Sequence, residues 1–184
     1  QKDYENAITQ FNKIIDGNDV VSQNAYYHLA ESYLNTDKKQ QALNAFKKAS
    51  EMQFDAKIQE DASLNYAKLS YEIGNPYQSV PEIMNAYLAK YPNSASKQEI
   101  NTLLISSYIT SKNYKEALVL LEKSKSPENK LAYQKVTFYR GLELYTDGNY
   151  KEAYSLFKKS LAENKDKKFT ARATFWKGET EYSL

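Results

Sequence analysis

The chain of 184 residues contains no cysteine, which excludes disulfides, thiol nucleophiles and thiolate-bound metals. Glycine and proline are scarce, at 5 and 4 residues, too few for a fold built on tight β-turns. A single histidine, His28, and two arginines, Arg140 and Arg172, leave little for imidazole ligation or for bidentate recognition of phosphate. No apolar run approaches the ~18 residues of a membrane-spanning helix, and the mean hydropathy of −0.75 agrees, so no membrane insertion is expected of this chain. An excess of one charge is also lacking. The 25 basic and 23 acidic residues are mixed along the whole length, for a net charge of +2. Without a basic cluster to meet phosphates, nucleic acid is not an expected partner.

What is present is a repeat. Asn113-Tyr114-Lys115-Glu116-Ala117 returns as Asn149-Tyr150-Lys151-Glu152-Ala153, a shift of 36 residues, and Asp3-Tyr4-Glu5-Asn6-Ala7 is a looser copy. Recurrence at that period signals stacked helical units whose neighbours bury one continuous core. Within one unit, Tyr26, Leu29 and Tyr33 form an apolar stripe with small Ala30 between them. After Asn35-Thr36-Asp37 a second stripe follows through Ala42, Phe46 and Ala49. These spacings predict two helices joined by a short loop, with Ala30 and Ala42 allowing close approach. Helices are expected near 3–15, 23–35, 38–52, 58–73, 78–90, 97–111, 114–125, 130–147, 150–163 and 168–184.

Tyr26, Leu29, Ala30, Tyr33, Ala42 and Phe46 resemble the tetratricopeptide repeat, whose pattern runs W-x2-L-G-x2-Y, then A-x3-F. Aligned on the alanine of the second helix, the units fall at Ala7, Ala42, Val80, Ala117 and Ala153, with intervals of 35, 38, 37 and 36 residues. The resemblance covers essentially the whole chain. It implies an all-α, right-handed α-solenoid of antiparallel helix pairs: a single array over 1–184, about four full repeats plus a half repeat at each end. Beginning and stopping inside a repeat, the chain reads as a fragment of a longer repeat protein. The competing architectures are a bundle of unrelated helical hairpins and a Sel1-like or HEAT-like solenoid. Departures from the pattern are local: Arg140 and Lys177 replace leucine, and Ser70 and Glu181 replace the second tyrosine. Pro81 falls in the first turn of its helix, where a missing N–H costs little.

No catalytic constellation emerges. His28 has no second histidine or aspartate pair beside it and reads as a surface or groove side chain. Glu60-Asp61 and Glu179 with Glu181 read as solvated carboxylates, and neither a phosphate loop nor a hydrolase motif occurs. No catalytic residue, metal or cofactor is expected. Tyrosine, at 17 residues, is the unusual entry in the composition, but Tyr33, Tyr66, Tyr108, Tyr114 and Tyr150 occupy helix-packing slots.

The resemblance implies that the first helix of each pair lines a concave surface and meets the ligand. Steps of i, i+4 and i+7 along that face give Tyr27, Glu31 and Leu34; Leu64, Lys68 and Tyr71; Thr102, Ser106 and Ile109; Phe138, Leu142 and Tyr145; and Phe175, Glu179 and Tyr182. The outer steps are mostly apolar or aromatic, which predicts a contact trough with Tyr71, Phe138 and Tyr145 as anchors. Cover by the next superhelical turn or by missing repeats would explain the same apolar face. The carboxylate clamp of chaperone-binding repeats, built from Lys and Asn or Arg on successive first helices, is absent as a pattern, since the equivalent steps hold Tyr27, Glu31, Leu64 and Lys68.

A non-enzymatic scaffold binding a protein or peptide is therefore expected. The alternatives are a structural spacer or an array self-associating through its terminal half repeats, and the regulatory arm of an enzyme whose catalytic domain lies elsewhere. Tyr87-x3-Tyr91-Pro92-x-Ser94 resembles envelope tetratricopeptide proteins of bacteria, of the outer-membrane assembly lipoprotein and periplasmic TolA-partner types. A Lys, Asn, Ile and Tyr bias would suit an AT-rich bacterial genome. The resemblance implies a periplasmic or envelope location, with the cytoplasm as the alternative.

Overall fold

A computed structural model describes residues 3–124 and 126–184; Gln1, where one half repeat was expected to begin, lies outside them. The described residues form ten α-helices and one 3-10 turn. They divide into two compact units, Gln1–Leu104 and Ile105–Leu184. The first holds α1 (Tyr4–Phe11), α2 (Val20–Asn35), α3 (Lys39–Glu51), α4 (Ala56–Ile73), α5 (Val80–Lys90) and the start of α6 (Lys97–Thr110). The second holds the end of α6, α7 (Tyr114–Lys123), the 3-10 turn Pro127–Asn129, α8 (Lys130–Thr146), α9 (Tyr150–Glu163) and α10 (Lys167–Ser183).

Side-chain caps define where several first helices begin. Asp19 accepts from the Ser22 N–H, Asp55 from Lys57 and Ile58, and Asp166 from Lys168, satisfying donors that a helix start leaves open. The Asp19 cap starts α2 three residues ahead of expectation. Ser79 and Glu82 form a reciprocal capping box around Pro81, which sits in the first turn of α5 as expected. α1 ends earlier than its periodicity predicts. The Asn12 side chain donates to the Ile8 carbonyl at 2.8 Å just after the helix's last residue.

The turn between paired helices is built alike three times. Asp37, Lys112 and Gly148 adopt φ of 57°, 60° and 77°. The N–H of the next residue then reaches back five positions, Lys38 to Tyr33, Asn113 to Tyr108 and Asn149 to Leu144, each at 2.8 Å. This left-handed termination closes the first helix and turns the chain into the second.

Packing uses the expected small residues. In the first unit Ala30, Ala42, Ala49, Ala62 and Ala67 are wholly buried, beside Leu29, Leu43, Phe46 and Met84. In the second, Phe138, Leu144, Phe157, Phe169 and Ala173 form one core, and Ile105, Ala117, Leu121 and Val136 another. Ser70 lies buried at its tyrosine slot and bonds the Tyr66 carbonyl, while Asn75 donates to both the Tyr66 and Ser70 hydroxyl oxygens at 2.8 and 2.9 Å. A polar network thus fills the space of a missing ring.

Two buried glutamines join successive helix pairs. Gln23 donates to the carbonyls of Ala49, Met52 and Asp55 and accepts from the N–H groups of Phe54 and Asp55. Gln134, at the same repeat position, donates to the Asp166 carbonyl and accepts from Lys165 and Asp166. Each amide satisfies backbone groups of a loop that has no ladder of its own.

Candidate functional site

The first unit places its expected groove residues on α2 and α4. Tyr27 is half-buried, and its hydroxyl donates to the Asp61 carboxylate one repeat along. Its ring meets His28 and Phe46 edge-on, with centroids 5.4 and 5.8 Å away. Burial, and secondarily the bond to Asp61, push the Tyr27 hydroxyl pKa well above the ordinary tyrosine value, because ionisation would put two negative charges together. Two recesses flank this ring. One, of about 540 Å³, is lined by residues including Tyr4, Phe11, Tyr27, Glu31 and Leu34. The other, of about 470 Å³, shares Tyr27 and includes Ile58, Asp61, Leu64 and Tyr87.

Leu34 and Tyr71 are exposed, Leu64 half-buried. Lys68 is held in an ion pair with Glu99 at 2.7 Å. Thr102 is exposed, and its hydroxyl bonds the Gln98 carbonyl of its own helix. His28 is exposed on α2, its Nδ1 2.8 Å from Glu31 and its ring stacked on Phe11 at 5.9 Å.

In the second unit one expectation is corrected. Phe138 is completely buried and cannot anchor a ligand on a free surface. Its ring packs against Phe157 and Phe169 at 6.0 and 5.5 Å, with the Arg172 guanidinium 4.7 Å from its centre. α8 packs against α7 on one side and α9 and α10 on the other, so Val136, Thr137 and Phe138 are all enclosed and its buried arc is wider than one packing stripe. Tyr145, expected on the same face, is half-buried with edge contacts to Tyr150 and Trp176 at 5.2 and 5.1 Å.

Leu142, Ser106 and Ile109 are half-buried, and Phe175, Glu179 and Tyr182 are exposed on α10. A recess of about 660 Å³ is lined in part by Tyr114, Tyr139, Arg140, Leu142 and Glu143. Tyr114 and Tyr139 stack at 5.0 Å within it, a pair the sequence reading missed because it placed Tyr114 only as packing.

Among the acidic residues singled out, Asp61 is engaged by Tyr27, and Glu181 is bonded by Lys177 and Tyr154 at 2.7 and 2.9 Å. Its carboxyl is held below the usual range by those bonds, Lys177 first. Among the described residues no three His, Cys, Asp or Glu side chains are grouped as a metal site requires. No described helix is long and apolar enough to cross a membrane.

This arrangement defines the class: an all-α solenoid of repeated helix pairs. Residues 23–55, spanning α2 and α3, match the tetratricopeptide repeat family model. No curated protein matches the chain. Among solved structures, MamA of AMB-1 is 23% identical, with 89% of this chain and 87% of that one covered at a TM-score of 0.53. YrrB, described as a TPR protein with an unusual peptide-binding site, is 16% identical over 93% of this chain and 83% of its own, at 0.52. These likenesses extend the tetratricopeptide-type fold over most of the chain.

Proposed function

We propose that the chain is a non-enzymatic protein-interaction scaffold, one array over its length, that binds a peptide or partner protein on the face of its first helices. The observation that carries this reading is the apolar surface left open there. Leu34 and Tyr71 are exposed in the first unit, and Phe175 and Tyr182 are 59% and 94% exposed in the second. Tyr27, Leu64, Leu142 and Tyr145 lie half-buried on the same helical faces. Aromatic and large aliphatic side chains in such positions supply most of the binding energy of protein interfaces, and preformed helices place the ordering cost on the partner. YrrB is described as a peptide binder, which favours a peptide as the occupant.

The test is affinity capture from a bacterial extract with the wild-type chain and with a Leu34→Ala, Tyr71→Ala, Phe175→Ala, Tyr182→Ala variant whose circular dichroism is unchanged. A protein retained by the first and lost by the second supports the reading; identical captures overturn it. On the resemblance of the Tyr87 to Ser94 segment we favour a bacterial envelope location, with the cytoplasm as the alternative. Tyr87 there bonds Ser94 at 2.8 Å, and fractionation of the source cells tests the location.

Self-association is a second reading, favoured by α10. Gly178 holds the small slot, yet a Cβ there would meet nothing within 4 Å, whereas at Gly141 it would meet Phe157. Sedimentation showing one unchanged species over a hundredfold concentration range would exclude it.

A further inference from the structure

Charge within the first unit is sorted rather than mixed. Lys38 pairs with Glu5 at 2.9 Å, Lys39 with Glu72 at 2.6 Å, Lys47 with Glu51 at 3.6 Å and Lys68 with Glu99 at 2.7 Å. The two recesses that share Tyr27 are lined by Asp3, Glu31, Glu60 and Asp61, against Lys57 and His28. No described lysine is paired with any of those four carboxylates. Asp61 is bonded by Tyr27 and Asn65, Glu31 by His28, and Asp3 caps α1. Neutral donors and one histidine hold most of these acids in place, and Lys57, the one described lysine lining the recesses, forms no ion pair with them.

The acids stand around aromatic rings. Phe11, His28, Tyr27 and Phe46 form a run of ring contacts between 5.4 and 5.9 Å apart. A ring face attracts a cation, and does so more strongly where water is partly excluded. Carboxylates flanking such rings favour a side chain that is apolar along its stem and cationic at its tip.

We infer that the first unit binds a basic peptide segment, in which lysine or arginine side chains enter the recesses on either side of Tyr27 while neighbouring apolar side chains lie against Phe11, Leu34 and Leu64. This rests on the scaffold reading above and names its partner's chemistry. The sign is opposite to that of a carboxylate-binding clamp and to the chain's own net charge of +2. Diffuse electrostatics over the whole molecule would favour an acidic peptide, so a preference for a basic one reports the recesses.

Fluorescence anisotropy of two labelled nonapeptides, alternating Lys and Leu or Glu and Leu, against the full chain at low salt tests this. The lysine peptide is expected to bind at least about fivefold more tightly, as two or three partly exposed ion pairs would give, and to weaken as salt is raised. Glu31→Gln with Asp61→Asn, which keeps an acceptor for Tyr27, should remove most of that preference. Glu116→Gln, an exposed acid of the second unit, should leave it intact. Equal binding of the two peptides, tighter binding of the glutamate peptide, no binding of either, or an undiminished preference in the double variant each overturns the inference. Partner capture lost only in the apolar quadruple variant would still uphold the scaffold reading, so the two fail separately.

Discussion

Substitution of the same repeat slot in two places should change stability in opposite directions. A Cβ on Gly141 would stand 2.8, 3.1 and 3.2 Å from three carbons of the Phe157 ring. That ring is wholly buried and lies 6.0 Å from Phe138, within the core that also holds Leu156 and Phe169. It therefore has little room to retreat. Overpacking of this kind costs about 1–3 kcal/mol, offset by the ~1 kcal/mol that alanine gains over glycine inside a helix. Gly141→Ala should therefore destabilise by about 1 kcal/mol, lowering the thermal midpoint by roughly 2–4 °C. At Gly178 a Cβ meets nothing within 4 Å, so Gly178→Ala keeps only the helical gain and should stabilise by a few tenths to about 1 kcal/mol. Thermal and urea unfolding followed at 222 nm measures both. Phe157→Leu, which removes the opposing ring edge, should make Gly141→Ala neutral or favourable in its background. An unchanged or raised midpoint for Gly141→Ala alone would refute the packing account.

Gln23→Leu leaves the N–H groups of Phe54 and Asp55 and the carbonyl of Met52 without the bonds now made at 3.1, 2.7 and 2.7 Å. A loss of about 2–3 kcal/mol is expected in urea unfolding, and retention of wild-type stability would contradict the clamp. Tyr27 has its pKa raised in the folded chain, first by burial and then by Asp61. Its contribution is complete below the unfolded value of about 10 and is lost as pH rises from there toward the folded value. Tyr27→Phe should cost about 1 kcal/mol at neutral pH and flatten the decline in stability above about pH 10, measured by chemical unfolding across that range. Lys112, at φ 60°, holds a conformation that a side chain disfavours and glycine adopts freely. Lys112→Gly should therefore stabilise the α6–α7 turn by roughly 0.5–1 kcal/mol, an increase read from the same melts.

Where the physics is local, the sequence determined the outcome. The apolar period, the alanines at close approaches and Pro81 in a first turn are recognised within a few residues of themselves. The expected helices accordingly agree with α2 to α10 to within three residues at either end. Two departures stand out: α1 ends at Phe11, short of its expected length, and Ser126 with Pro127 adds a 3-10 turn that periodicity does not reveal. The family resemblance, too, was carried by short-range spacing.

The face each side chain finally occupies depended on neighbours on other helices, distant in the chain. A step of i, i+4, i+7 aligned Phe138 with Leu142 and Tyr145. Yet α9 and α10 together enclose Phe138, and Arg172, 34 positions on, lies over its ring. Tyr27 looked like one more aromatic of the first-helix face until α4 brought Asp61 to its hydroxyl. Gln23 and Gln134 carry no signal in the sequence pattern, and their role comes from the loops after α3 and α9, which fold onto their amides. The sorting of acids into the recesses likewise follows from lysine partners that lie one repeat away, as in Lys39 with Glu72 and Lys68 with Glu99. Repetition in the sequence determined the helices and their pairing; burial, buried hydrogen bonds and the distribution of charge arose only when those helices met.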